Sequence, residues 1–380
     1  MADKDKTPLL REGNKESQRF GFRIFRGSME VLHERSLLEE ILAKNVDVAI
    51  IRLLKNGHEQ LHRLQRLGLP YIVADTLVYY ACDLAKLQPA PLRNQDLEFV
   101  ECDASHAEAV DRLVELSFGD YRNHYSANPV LDASGLLEGY KEWTRGYTEA
   151  REPEKRAWLV RSGGEDVAFA TVGFEGAVSE GVLYGVHPAH AGRGIYGDII
   201  RFTQNISRER GASTMRVSTQ VSNFAVQKVW TRSGFSLVDA YMTVHINALL
   251  DARGVHSAAR PVRFEVKDVE RFAELSGDSN PVHLDAEAAR KAGFEGPLVH
   301  GARVISEMSR FFAMEFPGPG SILTSQRFKF LKPVYAGRDY TFDYRFPVHD
   351  PARGAYLAVA TVRDATGAAL LVSHTELVKR

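Results

Sequence analysis

Between Gly277 and His283 the chain reads Gly-Asp-Ser-Asn-Pro-Val-His. The carboxylate of Asp278 and the imidazole of His283 are side chains that carry general acid–base chemistry. Asn280-Pro281 between them initiates a turn, which brings the two together. A packed element would put apolar residues where this string has polar ones, so the string reads as a proton-transfer site. A second segment, His187-Pro-Ala-His-Ala-Gly-Arg-Gly-Ile-Tyr-Gly197, falls between an expected strand and an expected helix. Backbone N–H groups of such a loop, opening a helix, can cradle a pyrophosphate with help from the helix dipole, and glycines allow the close approach.

The elements that must position these segments fall into three blocks. The first runs to about Asn94, where Gln88-Pro-Ala-Pro91 breaks regular structure, and residues 1–18 before its ordered part are polar and expected to be loose. It holds a strand at 46–51, a helix at 60–67 ended by Gly68, and a strand at 71–82. The second, about 97–250, begins with a strand at 97–102 and a helix at 107–118. A hairpin at 157–160 and 167–174 turns on Gly163-Gly164. A strand at 181–186 then leads into the glycine loop and a helix at 198–210. Strand 214–219, helix 225–233 and strand 236–246 complete the block. Leu67-Gly-Leu-Pro-Tyr-Ile-Val-Ala-Asp75 and Ser233-Gly-Phe-Ser-Leu-Val-Asp239 follow one plan, a weak internal repeat; two unrelated strand–helix–strand units would read the same way. After a polar linker at 251–259, the third block opens with a strand and a helix carrying the Asp278–His283 string. An apolar helix at 302–312 and strands at 325–330, 339–347, 355–363 and 369–377 follow.

With 380 residues, 44% apolar, 26% charged and a net charge of −1, the chain is expected to form two or three soluble domains. Lys and Arg form no long basic runs, which argues against nucleic acid or an anionic membrane as the main partner. Cys82 and Cys102 are the only cysteines and lack ligand-like spacing, so neither a disulfide framework nor a metal site is expected. No apolar run approaches the roughly 18 residues a membrane span needs, and the first residues lack the apolar core of a signal peptide. A cytoplasmic location is the expectation.

The Gly-Asp-x-Asn-Pro-x-His string, with Phe272 before it and Ala289 after it, resembles the signature of the MaoC-like (R)-specific enoyl-CoA hydratases, at every specified position. Alone, Asp278 would pass for a turn acid and His283 for a satisfied imidazole; the complete string favours catalysis. The resemblance implies a hotdog fold, one long helix wrapped by an antiparallel sheet, and hydration of an α,β-unsaturated thioester. That reaction needs a base to activate water, a proton for the α-carbon and donors for the enolate oxygen. By resemblance Asp278 and His283 move the protons, Asn280 orients the loop, the Gly301 N–H serves the oxyanion, and Ser321 supplies a hydrogen bond near the dyad. His300 is read as a loop-holding residue at the helix start. The family's site lies at an interface between hotdog domains, which implies a homo-oligomer.

The glycine loop followed by Asn223, Trp230 and Gly234-Phe235 resembles the GNAT N-acyltransferases over nearly all of the second block. The resemblance puts coenzyme A on Val186, Gly192, Arg193, Gly194, Tyr196, Gly197 and Asn223. Ala191 stands where the family has Gln or Arg, and Tyr196 where it has Gly or Ala; the backbone donors survive both changes. Trp230 replaces a Tyr that protonates the leaving thiolate, and an indole N–H cannot transfer a proton at useful pH. Tyr184, Tyr196 and Tyr241 are the substitutes considered. Within the superfamily the chain is most similar to acyltransferases of nucleotide-linked 4-amino-4,6-dideoxy sugars, through a preceding GNAT-like half-domain and the acceptor-side residues Tyr121-Arg-Asn-His-Tyr125, Asn128-Pro129, Tyr140 and Trp143.

The sequence therefore predicts an α+β chain: a GNAT-like half-domain at 1–96, a GNAT acyltransferase domain at 97–250 and a hotdog hydratase domain at 260–380. The expected function is bifunctional. A short enoyl-CoA of the crotonyl-CoA type is hydrated to an (R)-3-hydroxyacyl-CoA, whose acyl group passes to a nucleotide-linked amino sugar. Coenzyme A thioesters are the expected cofactor substrates, with no metal. Alternatives are a hydratase whose GNAT block only binds acyl-CoA or assembles, and a transferase acting on an amino acid or antibiotic amine.

Overall fold

The computed structural model describes residues 8–54 and 57–380. Of residues 1–18, expected to be loose, 1–7 lie outside the described residues, while Arg11–Glu12 form a strand and helix Asn14–Phe20 begins within the rest. The chain divides into two compact units, one formed from Met1–Ile51, His58–Tyr71 and His245–Arg380, the other from Arg52–Gly57 and Ile72–Val244.

In the first unit, a five-stranded antiparallel sheet runs in the order His256–Arg263, Asp339–Asp350, Ala355–Arg363, Ala369–Lys379, Ser321–Phe330. Tyr340, Phe342, Tyr344 and Phe346 alternate along the second of these strands and point to one face. Against them packs the helix Gly301–Met314, whose Val304, Met308, Phe311 and Phe312 recur at helical spacing and are all buried. Phe311 and Tyr344 stack with ring centroids 3.7 Å apart. One apolar helix lying on a curved antiparallel sheet is the hotdog arrangement. The N-terminal segments of this unit hold the sheet at two points, where Arg363 Nη2 donates to Asn45 Oδ1 (3.1 Å) and Lys329 Nζ to the Arg66 carbonyl (2.8 Å); His374 Nε2 donates to the Ala248 carbonyl (2.9 Å). Helices Asn14–Phe20 and Glu34–Ala43, not anticipated from the sequence, belong here.

In the second unit the strand order is Ser236–Asn247, Tyr71–Asp83, Thr214–Gln220, Val178–Val186, Glu165–Glu175, Lys155–Ser162, Leu97–Glu101. The two long strands that the weak repeat aligns are thus neighbours. The Glu165–Glu175 hairpin turns on Gly163 (φ +58°) and Gly164 (φ +86°), as anticipated. All neighbours for which register is defined pair antiparallel except Val178–Val186 with Thr214–Gln220. That parallel pairing covers only Val178–Gly181 against Thr214–Val217, after which the strands separate toward their carboxyl ends. Helices Ile195–Glu209 and Phe224–Arg232 cover one face around Ile200, Met215, Val217 and Trp230. Helices Ala107–Phe118 and Leu136–Thr148 cover the other, around Leu113, Leu159 and Phe169. No helix among the described residues is long and apolar enough to cross a membrane.

Candidate active sites

The dyad segment starts where helix Val266–Ser276 stops at Gly277, whose φ of +75° is the left-handed helix end that glycine permits. Asn280 caps the short helix Pro281–Leu284 by accepting from the Val282 N–H (3.3 Å), with Pro281 at its first position. This one-turn helix carries His283 back toward Asp278. Its Nδ1 lies 2.9 Å from the Leu298 carbonyl, an acceptor only, so Nδ1 holds the hydrogen and Nε2 presents a lone pair. His283 Nε2 stands 4.0 Å from Asp278 Oδ2, beyond a direct hydrogen bond but spaced so that both can reach one substrate atom or water.

His300 is 2% exposed, and its Nε2 sits 2.9 Å from the Asp278 backbone carbonyl. It pins the loop, in the holding role expected of it. Its ring stacks on His283 with centroids 3.9 Å apart and 26° between planes. Asp278, His283 and His300 offer ligand atoms within 4.8 Å of one another. A cation needs ring lone pairs that converge in their own planes; stacked rings send theirs out side by side, so the arrangement suits proton transfer better than coordination.

Gly301 opens the helix Gly301–Met314, and no backbone carbonyl among the described residues takes its N–H. That N–H and the dipole behind it form the donor an enolate oxygen requires. A methyl group on Gly301 would sit 2.8 Å from Phe330 Cζ, so the aromatic ring closes directly over this backbone. Ser321 stands elsewhere. It begins the strand that Phe330 ends, and nine residues of strand span roughly 30 Å. Its Oγ donates to the Gly318 carbonyl (2.6 Å), beyond the far end of the helix. Within one chain, the structure brings Asp278, Asn280, His283 and Gly301 together and leaves Ser321 out.

In the second unit the loop 187–194 joins the separated strand Val178–Val186 to helix Ile195–Glu209. Val186 is still paired, opposite Ala168. The Ala191 N–H bonds the Pro188 carbonyl and the Asp198 N–H bonds the Gly194 carbonyl; from Gly192 to Gly197 no backbone N–H is taken by a backbone carbonyl of the described residues. Gly192 (φ +79°) and Gly194 (φ +84°) give the loop the left-handed turns that line these donors up. These open N–H groups lie on the residues expected to cradle a pyrophosphate, Gly192, Arg193, Gly194, Tyr196 and Gly197.

Asp198, which sequence reasoning missed, braces this loop. It is fully buried and accepts from the N–H groups of Arg93 (2.8 Å) and Asn94 (3.1 Å), from Asn94 Nδ2 (2.7 Å) and from Arg201 (2.7 Å). Asn94 Nδ2 also donates to the Arg193 carbonyl (3.1 Å). Burial works to raise the Asp198 pKa, but the Arg93, Asn94 and Arg201 donors outweigh it and hold the carboxyl below its usual range. An acid in the otherwise apolar Ile195/Ile199/Ile200 stretch was the available signal.

Asn223 begins helix Phe224–Arg232 and donates to Thr219 Oγ1 (3.1 Å) at the carboxyl end of the other separated strand. Trp230 is 3% exposed and packs in the core with its indole N–H buried. Of the tyrosines considered in its place, Tyr184 donates to Thr203 Oγ1 (3.1 Å) and Tyr241 to Asp239 Oδ2 (2.9 Å). Burial raises the pKa of Tyr184 and Tyr196, and the Trp230 indole lies beside the Tyr196 hydroxyl. Tyr121 reaches Thr219 and Asn223 with its hydroxyl and packs against Phe118 and Tyr140. Asn123 Nδ2 donates to the Tyr140 hydroxyl (3.0 Å). Phe118, Tyr121 and Tyr140 thus form a packed wall, while Trp143, also on helix Leu136–Thr148, is exposed.

A family model for MaoC-like domains matches residues 248–345, and one for the GNAT acetyltransferase family matches residues 111–235. The (R)-specific enoyl-CoA hydratase of Aeromonas caviae is 37% identical over 118 residues, 31% of this chain and 87% of that enzyme. The mitochondrial 3-hydroxyacyl-[acyl-carrier-protein] dehydratase of Arabidopsis thaliana is 39% identical over 104 residues, 27% of this chain; the chain spans 60% of its length. The solved (R)-hydratase of A. caviae involved in PHA biosynthesis covers 34% of this chain with 98% of its own, at 28% identity and a TM-score of 0.32. Both matched families act on coenzyme A thioesters. The chain belongs to the MaoC-like (R)-specific hydratases through its C-terminal domain, joined to a domain of the GNAT family.

Proposed function

We propose that this chain hydrates a short enoyl-CoA, of the crotonyl-CoA type, to an (R)-3-hydroxyacyl-CoA and then transfers that acyl group to the amine of a nucleotide-linked amino-dideoxy sugar. The observation that carries the first step is the His283 Nε2 lone pair facing Asp278 beside the free N–H of Gly301. Water lies between His283 and Asp278, loses a proton to the dyad and attacks the β-carbon. The dyad returns the proton to the α-carbon, while the Gly301 N–H holds the enolate oxygen. A relative bearing the name 3-hydroxybutyryl-CoA dehydratase, from Methylorubrum extorquens, is 37% identical over 70 residues and supports a four-carbon substrate. The plant relative's name raises acyl-carrier-protein thioesters as a second carrier for the same acyl group.

The second step rests on the open cradle at Gly192–Gly197 for coenzyme A and on the Tyr121, Asn123 and Tyr140 wall, whose rings and polar tips suit a sugar nucleotide. The division of labour follows the blocks: a GNAT-like half at 1–96, the transferase at 97–250 and the hydratase at 260–380, working in the cytoplasm as a homo-oligomer formed by the hotdog domain. A hydratase whose GNAT domain only binds acyl-CoA is the second reading, favoured by Trp230, whose indole cannot act as an acid for the thiolate. Mass spectrometry after incubation with crotonyl-CoA and a dTDP-4-amino-4,6-dideoxy sugar decides between them. A 3-hydroxybutyryl adduct is expected. A crotonyl adduct alone, or no adduct with either acyl-CoA, rejects the sequential reaction.

A further inference from the structure

Strand Tyr71–Asp83 pairs with Thr214–Gln220 from Asp83↔Thr214 to Leu77↔Gln220, and the Val221 N–H continues the ladder to the Thr76 carbonyl (2.8 Å). The next residue, Asp75, therefore lies level with the turn that leads into Asn223. This is the carboxyl end of the parallel pair, where the two strands have already separated and where ligands of α/β sheets bind. Side chains alternate along a strand: Tyr80 faces Trp230, so Asp75, five residues away, faces the opposite layer. Tyr121 and Tyr140 stand in that layer, and the charge of Asp75 acts on both hydroxyls.

The Asp75 carboxylate is poorly satisfied. Oδ2 accepts a long hydrogen bond from Gln220 Nε2 (3.4 Å), and Oδ1 is buried with no donor among the described residues. Buried carboxylate oxygens of folded proteins nearly always have donors, and leaving one without costs free energy. Every neighbour named so far is a neutral hydroxyl or amide, which leaves the carboxylate able to take a cationic donor from a ligand.

We propose that Asp75 receives the ammonium group of the acyl acceptor and takes its first proton. The proposal rests on the transferase reading above and names its acceptor as a primary amine bound in its charged form. The acceptor ammonium loses one proton to Asp75, which later releases it to solvent. The freed nitrogen attacks the thioester carbonyl and forms the new C–N bond. As the C–S bond breaks, the nitrogen's second proton goes to the departing sulfur, and the third stays on the amide. A tyrosine-like acid at position 230 is then unnecessary, which accounts for a buried tryptophan there in a working transferase.

The test compares the full-length protein with Asp75→Asn, using 3-hydroxybutyryl-CoA and two kinds of primary amine: dTDP-4-amino-4,6-dideoxyglucose and a set of amino acids. Asparagine keeps the size and the Gln220 contact, and an unchanged acyl-CoA affinity and melting temperature verify the fold. The expected result is a loss of about 100-fold or more in kcat/KM for the amine, with the KM for acyl-CoA within about threefold. The rise of kcat/KM with pH is expected to move to higher pH, because free amine must then come from solution. Acylation of the sugar amine at an undiminished rate by Asp75→Asn overturns the role of Asp75 and leaves the sugar reading intact. Acylation of amino acids alone, lost in Asp75→Asn, supports Asp75 and overturns the sugar reading. Acylation of no primary amine by the wild type overturns both.

Discussion

Replacing Asp278 by Asn separates chemistry from folding at the hydratase site. The backbone carbonyl of Asp278 still receives His300 Nε2, its N–H still reaches Ser276 Oγ (3.2 Å), and the Asn oxygen can accept from the Asn280 N–H as Asp278 Oδ1 does (3.3 Å). The side chain is 53% exposed, so loss of its charge leaves no buried cation unpaired. Stability should stay within about 0.5 kcal/mol of the wild type. What disappears is a group able to accept and return a proton, a function worth about 10²- to 10⁴-fold in rate, or about 2.7–5.4 kcal/mol at 1.36 kcal/mol per decade. The assay follows loss of enoyl absorbance from crotonyl-CoA, alongside thermal unfolding. Because Asp278 and His283 act on one water, the double variant with His283→Gln should lose little more than either alone. Hydration by Asp278→Asn within threefold of the wild type would refute the dyad, and so would strictly multiplicative losses in the double variant.

Acid should weaken the first unit through His374, which is 5% exposed and whose pKa burial pushes down to about 4, from an ordinary 6.5. A folded pKa below the unfolded one means that the unfolded chain binds the proton first. The contribution is complete above pH 6.5 and fades as pH falls toward 4, by a total of about 3 kcal/mol; denaturant midpoints across that range should show the slope, reduced in His374→Gln. Asp198→Asn should cost about 2–4 kcal/mol, since it weakens four donors to one buried carboxylate, and should also lower acyl-CoA affinity measured by calorimetry. Gly194→Ala meets nothing closer than Asn94 Nδ2 at 3.8 Å, so its cost of about 1–2 kcal/mol is purely that of φ +84°, readable as a shifted unfolding midpoint. Gly301→Ala should cost about 1–3 kcal/mol through collision with Phe330 and slow hydration, and Phe330→Ala in the same chain should relieve the collision.

The dyad was legible because it is local: Asp278, Asn280 and His283 are bound to one another by a single turn, and turn chemistry can be read from neighbours. The glycine loop was legible for the same reason. Ser321 was not, because its distance from Asp278 depends on the helix Gly301–Met314 and on which end of a ten-residue strand returns to it. The helix Leu136–Thr148 was missed because Tyr140 and Trp143 were read for their stacking and hydrogen-bonding groups and not for helical spacing. Asp75 was hidden more deeply. Its setting is made by Gln220, 145 residues away, and by Tyr121, and only the ladder between Leu77 and Gln220 brings them together. The helix Ile195–Glu209 starts three residues earlier than the periodicity suggested, since Gly194 in a left-handed conformation can begin a helix that sequence rules would delay.

The division of the chain into its two units has a consequence for inheritance. The backbone passes between them four times, after Ile51, Gly57, Tyr71 and Val244. No single break therefore yields two fragments that each contain one whole unit, and a gene cut anywhere leaves at least one unit without part of its core. Lys329 on the hotdog edge strand, bonded to the Arg66 carbonyl, and Arg363, bonded to Asn45, show the hotdog sheet relying on residues translated before the GNAT unit. A nascent chain cannot finish that unit until synthesis reaches its last strand, Ala369–Lys379. The two units must then be made, kept and lost as one.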